Sequence, residues 1–148
     1  ASRVGIPQQR RAVVSGPSEL RLQCPAQPRY VPPIRHALAA FLEVLGFERG
    51  DQDDVITAAG EALANAVEHA YADVSDETLR VLELLARLDY GGTLSVDVSD
   101  RGSFIVRDPL PGRGFGLRII AAIAAQTSIE TTGGTRIRMQ FSRPARNG

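Results

Sequence analysis

A chain of 148 residues, 43% hydrophobic and 23% charged, has the balance of a globular domain and the length for one substantial core. Its 17 basic and 17 acidic residues cancel, so no overall field selects for nucleic acid or an anionic membrane. Every basic residue is Arg, which excludes lysine-dependent chemistry, including that of a P-loop. Cys24 has no second cysteine to pair with, a usage that fits a reducing cytoplasm. His36 and His69 alone cannot build a His/Cys metal cluster. No apolar secretory core opens the chain, and the longest apolar run, Ile119 to Ala125, is too short to span a bilayer.

Residues 1–18 mix Arg, Gln, Pro and Gly without periodicity and read as a tail or linker; the domain is expected over 19–143, with a short tail at 144–148. Leu20, Leu22 and Cys24 alternate with Arg21 and Gln23, predicting a half-buried strand. After Pro25 and Pro28, a helix is expected from Pro32 to Leu45, with Ile34, Leu38, Phe41, Leu42 and Leu45 on its apolar face. Gly46 suits its C-cap, and Arg35 and His36 read as solvated groups. A second helix runs from about Asp51 to Tyr71, its acidic first turn matched to the helix dipole. At about 100° per residue, Ile56, Ala59, Leu63, Ala66, Val67 and Ala70 share one face. Asp54, Glu61, Asn65 and Glu68 line the opposite one, for which solvation is the simplest reading. Glu61 and Asn65 lie one turn apart, so a carboxylate and a carboxamide project side by side.

A loop is expected at Asp73 to Asp76, then a strand from Leu79 to Tyr90 with Leu82, Leu84, Ala86, Leu88 and Tyr90 on one face. Gly91-Gly92 signals a hairpin into a strand of Leu94, Val96 and Val98. Asp100 continues that inward phase, which places a carboxylate on the buried face as the strand ends. It is either a turn-forming Asp before Gly102 or an acceptor at the floor of a pocket. Residues 103–111 read as a loop. Gly112-Arg113-Gly114-Phe115-Gly116 then precedes a helix expected over Leu117 to Ala125, with Leu117, Ile120, Ile123 and Ala124 as its apolar stripe. Glycines before a helix leave N–H groups free for an anion, to which Arg113 and Arg118 could add charge-assisted bonds. The spacing matches neither a Rossmann G-x-G-x-x-G nor a P-loop. A last strand, after Gly133-Gly134, sets Thr135, Ile137, Met139 and Phe141 on one side.

Taken in order, Glu61-x-x-x-Asn65 on a helix, Asp100-x-Gly102 at a strand end, the 112–116 glycine loop and Gly-Gly-Thr135 resemble the Bergerat-type ATP-binding fold. That fold is shared by gyrase, sensor histidine kinases, mismatch-repair ATPases and a heat-shock chaperone. The run from Glu61 through Asn65 and His69 to Tyr71 most closely resembles the anti-sigma-factor serine/threonine kinases.

The resemblance implies an α+β two-layer sandwich: a mixed, mostly antiparallel sheet with helices packed on one face. It implies ATP and Mg²⁺ as cofactors, with Asn65 coordinating the metal and Glu61 as the general base. Asp100 accepts from the adenine amine, Gly102 lies beside the base, Gly112, Gly114 and Gly116 lie at the phosphates, and Thr135 is near adenine. Arg113 falls within that glycine box. The partners implied are an anti-anti-sigma (STAS-type) protein and a sigma factor, with homodimerisation as a family habit, and the location is cytoplasmic. One departure stands out: the first glycine box, usually Asp-x-Gly-x-Gly, carries Phe104 at its last position. Phe104 removes backbone freedom from the lid, and keeps open the alternative of a non-catalytic sigma-factor-binding module. The catalytic domain of a sensor histidine kinase is a third reading, opposed by the lack of a helical hairpin carrying a phospho-accepting histidine.

Overall fold

The computed structural model describes residues 18–73, 81–100, 115–130 and 135–142, with the side chains of 69–73 and 115–117 also outside the description. Residues 1–17 of the expected N-terminal tail, the C-terminal tail, residues 74–76 of the first expected loop, the 103–111 loop and the Gly133-Gly134 turn lie outside the described residues, whereas Ser18, expected in the tail, opens the first strand.

Strand β1 (Ser18–Pro25) alternates half-buried and exposed residues, with Leu20, Leu22 and Cys24 on the inner side. One 3₁₀ turn over Pro28–Tyr30 leads into helix α1 (Val31–Val44). Pro32 and Pro33 sit in its first turn, where the missing N–H groups would have no intrahelical acceptor. Ile34, Leu38 and Leu42 are buried, and Gly46 takes φ 82°, the left-handed conformation that closes a helix at little cost to glycine. Helix α2 (Arg49–Asp73) starts after a tight elbow. There the buried Gln52 donates its amide to Glu43 Oε2 (2.6 Å) and to the Phe47 carbonyl (2.8 Å).

Strands β2 (Val81–Leu88) and β3 (Thr93–Asp100) form the expected hairpin. Leu82, Leu84, Ala86 and Leu88 are buried, but Tyr90, expected to continue that face, is 82% exposed. The strand ends before it: Thr93 N–H donates to the Asp89 carboxylate at 2.9 Å and Gly92 takes φ 84°, so Tyr90 lies in the turn. Helix α3 (Phe115–Ile123) begins two residues earlier than expected, which puts Gly116 inside its first turn. The short strand β4 (Gln126–Glu130) was not expected from the sequence, and β5 (Thr135–Ser142) follows the predicted alternation.

The strands form one sheet in the order β1-β2-β3-β5-β4, and every described pairing is antiparallel. The three described α-helices pack on one face, against Leu82, Leu84, Leu94, Val96 and Met139, none of which is measurably exposed. Each such leucine contributes about 1.5–3 kcal/mol on leaving water. The other face is polar. Its central pair is Asp97 on β3 and Arg138 on β5, cross-strand partners joined by two parallel 3.0 Å bonds, Nε to Oδ1 and Nη2 to Oδ2. The Asp97 carboxylate raises the Arg138 pKa further through its hydrogen bonds and its charge.

Candidate nucleotide site

The polarity of the elements fixes which residues meet. Phe141 and Ser142 at the end of β5, Ile123 at the end of α3, and Asp51, Asp54 and Val55 at the start of α2 surround one hollow, the distal end of the molecule. From there α2 runs back along the sheet, packed on β3 and β5 and flanked by α3. The helix rises about 18 Å from Asp54 to Ala66, and β5 spans about 23 Å from Ser142 back to Thr135. The later turns of α2, the first turn of α3, the end of β3 and the start of β5 therefore share the opposite, proximal end.

At that end three strands present one row. Asp100 is paired with Leu82 of β2 on one side and with Thr135 of β5 on the other. All three are buried on the helix-facing side, Asp100 and Thr135 at 7% exposure each. Asp100 belongs to the strand ladder rather than to a turn, and its Oδ2 is closed to solvent. The Thr135 hydroxyl is buried with no hydrogen-bond partner among the described residues. Leaving such a group unsatisfied costs about 1–3 kcal/mol. A carboxylate acceptor, an unused hydroxyl and an apolar leucine in one row fit a flat heterocycle carrying an amine.

The polar stripe of α2 divides. Asp54 and Glu68 are exposed, whereas Glu61 and Asn65 are half-buried, so solvation is not the right reading for those two. They occupy the flank between the exposed and buried sides. Gly60 faces α1, where an added Cβ would meet the Arg35 side chain at 3.4–3.7 Å. Asn65 lies about 140° around the helix from Gly60, turned away from α1 toward the side where α3 packs. Arg35 and His36 are exposed as expected.

Gly116, in the first turn of α3, has an N–H that no carbonyl within the helix can accept. Gly102, Gly112, Arg113, Gly114 and Phe104 lie outside the described residues, as do the side chains of His69, Ala70 and Leu117. Among the described residues no cluster of three His, Cys, Asp or Glu could hold a metal. A single carboxamide such as that of Asn65 suits Mg²⁺, which keeps several waters and takes phosphate oxygens as ligands. Leu82 is the member of the row that the sequence reading treated only as core. Counting outward symmetrically from Gly91 pairs it with Asp100, so the signal was present.

Residues 24–141 match the family of histidine kinase-like ATPase domains, and the chain belongs to that family. Among its curated relatives are serine-protein kinases of the RsbW type, the anti-sigma-factor branch that the α2 motif resembles. RsbW of Bacillus velezensis is 26% identical over 81% of this chain and 82% of its own length. RsbW of Bacillus licheniformis is 33% identical over 64% of this chain and 58% of its own. The structure of the RsbU and RsbW domains of Rv1364c from Mycobacterium tuberculosis superposes with a TM-score of 0.68 at 26% identity. That match covers 88% of this chain but 34% of the larger one. In the SiaB-SiaC complex from Pseudomonas aeruginosa the same fold recurs, with a TM-score of 0.64 at 15% identity over 82% of this chain and 88% of that one. Membership implies ATP as the nucleotide. No described helix is long and apolar enough to cross a membrane.

Proposed function

We propose that the chain is an ATP-dependent serine/threonine kinase that phosphorylates an anti-anti-sigma, STAS-type protein and binds a sigma factor, repressing transcription by partner switching. The reading rests on one observation above others: the buried row of Leu82, Asp100 and Thr135 stands at the end toward which α2 carries Glu61 and Asn65. In this reading Asp100 accepts from the exocyclic amine of adenine and Thr135 completes the polar contact. Gly102 lies beside the base; Gly112, Gly114, Gly116 and Arg113 hold the phosphates. ATP supplies the phosphoryl group, and Mg²⁺ on Asn65 neutralises its charge. Glu61, one turn before Asn65, takes the proton of the partner's serine or threonine hydroxyl. A cytoplasmic location goes with these partners.

The test is transfer of labelled phosphate from Mg-ATP to a cognate STAS-domain protein. Replacing Glu61 by Ala should lower the rate about 10²–10⁴-fold with nucleotide binding kept. Transfer at the wild-type rate in that variant would remove Glu61 from its role. Binding of sigma factor with no transfer even in the wild-type chain would favour the non-catalytic module that Phe104 keeps open.

A further inference from the structure

Strand β4 is the least supported element of the sheet. It pairs with β5 on one side and with no described strand on the other, and all five of its residues are exposed. Its outer edge keeps a row of N–H and C=O groups open to a further strand. The opposite edge of the sheet is guarded. There β1 shows charged Glu19 and Arg21 on one side and half-buries Leu20, Leu22 and Cys24 on the other. β4 carries no proline, and no charge before Glu130 at its end.

The surface beside that edge is free of charge. Helix α3 leads straight into β4, and no residue from Ile119 to Ile129 is ionic. Ala121, Ala122 and Ala125 are exposed, on the side of α3 turned away from the buried Ile120. Ile129, on the helix-facing side of the sheet beside Ile137, is 46% exposed. Depletion of charge is the mark of an interface core rather than of open surface.

The order of residues along β4 identifies what fits it. Antiparallel pairing with another β4, about a two-fold axis at Ser128, sets Gln126 opposite Glu130, Thr127 opposite Ile129 and Ser128 opposite itself. No like charges meet, and Thr127 with Ile129 is a β-branched cross-strand pair. On the polar face, Glu130 lies 4.0 Å from Arg136 of its own chain. Across the axis it would face the Gln126 carboxamide, on the wall of an open groove of about 430 Å³ that Ser128, Arg138 and Gln140 also line. On the other face, alanines on α3 leave room for a second α3 to draw near.

We propose that β4 is the edge through which two copies of this chain associate, joining two five-stranded sheets into one with all helices on the same face. A five-residue ladder and the flank of α3 make an interface below about 1,200 Å², the range of weak, transient pairs, so the dimer depends on concentration. The proposal is independent of the kinase reading.

Sedimentation equilibrium of the full chain at low ionic strength, over a wide concentration range, tests it. The wild-type chain should pass from monomer to dimer. Thr127→Lys with Ile129→Lys puts like charges opposite each other twice and should weaken the dimer about tenfold or more. Thr127→Lys with Ile129→Glu pairs opposite charges in this register alone and should restore it to within about threefold of wild type. All four substituted side chains stand at exposed positions, so unchanged urea midpoints separate association from folding. A dimer that both variants leave intact, or that neither sustains, overturns the register. A monomer at every concentration leaves the edge to a partner's strand or to the chain's own termini and overturns the second copy.

Cross-linking gives a second readout. In a Cys24→Ser chain, Ser128→Cys should form an intermolecular disulfide under mild oxidation at least about tenfold faster than Tyr90→Cys, because cross-strand neighbours on the axis lie within disulfide reach. Equal rates overturn the proposal.

Discussion

Asp100 on β3 and Thr135 on β5 are direct cross-strand partners, both buried on the helix-facing side of the sheet. A carboxylate and a hydroxyl set side by side in an otherwise apolar layer are a poor choice for stability and a good one for recognition. The cost of the hydroxyl, which has no partner among the described residues, is offset when a ligand engages it.

This conflict predicts opposite signs for two properties of one variant. Thr135→Val keeps the shape and removes a hydroxyl that has no partner among the described residues. The variant should be as stable as wild type or more stable by up to about 1 kcal/mol without nucleotide, with weaker ATP binding. Asp100→Asn should lower ATP affinity about 10- to 100-fold, the worth of a charge-assisted hydrogen bond. Urea melts and nucleotide titrations on the same samples check both.

Gly60 interrupts the long helix α2 with a residue that lowers helix stability by about 0.5–1 kcal/mol relative to Ala. An added Cβ would meet only the Arg35 side chain, at 3.4 Å or more, and that side chain is exposed and can shift. Gly60→Ala should therefore raise the urea midpoint by an amount equivalent to about 0.5 kcal/mol. A loss of 1 kcal/mol or more would show that Arg35 is held there rigidly.

The Asp97–Arg138 pair on the polar face has no part in the nucleotide site and serves as a control. Arg138→Ala leaves a carboxylate at 7% exposure without its bidentate partner, and should cost about 1–3 kcal/mol. Arg138→Ala with Asp97→Ala should recover part of that loss, since no orphan charge remains. Nucleotide affinity should stay at the wild-type value in both.

Burial pushes the Cys24 thiol above its ordinary range. Less thiolate is present at a given pH, so iodoacetamide should react more slowly than with a free thiol of pKa about 8.5. The rate should climb with pH beyond that value. The matching stability contribution is full below the unfolded pKa and fades as pH rises through the raised folded one. Alkylation rates measured from pH 7 to 10 in native and unfolded protein decide it.

Much of this was legible in the sequence because periodicity reports burial. The phase of Leu94, Val96 and Val98 carried Asp100 to the inner face, and Gly91-Gly92 fixed the register that sets it beside Leu82. Strand β4 was not legible. Gln126, Thr127, Ser128, Ile129 and Glu130 are all exposed on a sheet edge, so no core selects an alternating pattern there. Tyr90 misled for the converse reason, an aromatic in phase with a strand that had already turned. The helix pattern placed Glu61 and Asn65 opposite the apolar stripe, but it could not show that their flank is half-buried. Helix α3 packs against α2, a contact between segments distant in sequence that no helical pattern reports.

The central claim is that Asn65 and Asp100 serve one Mg-nucleotide site. The most direct measurement is titration of the chain with a fluorescent ATP analogue, with and without Mg²⁺, in wild type, Asn65→Ala, Asp100→Asn and Arg138→Ala. The account predicts saturable binding that is Mg²⁺-dependent in wild type and Arg138→Ala, loses its Mg²⁺ dependence in Asn65→Ala, and is weak in Asp100→Asn under either condition. Binding of equal strength and equal Mg²⁺ response in all four chains would contradict it.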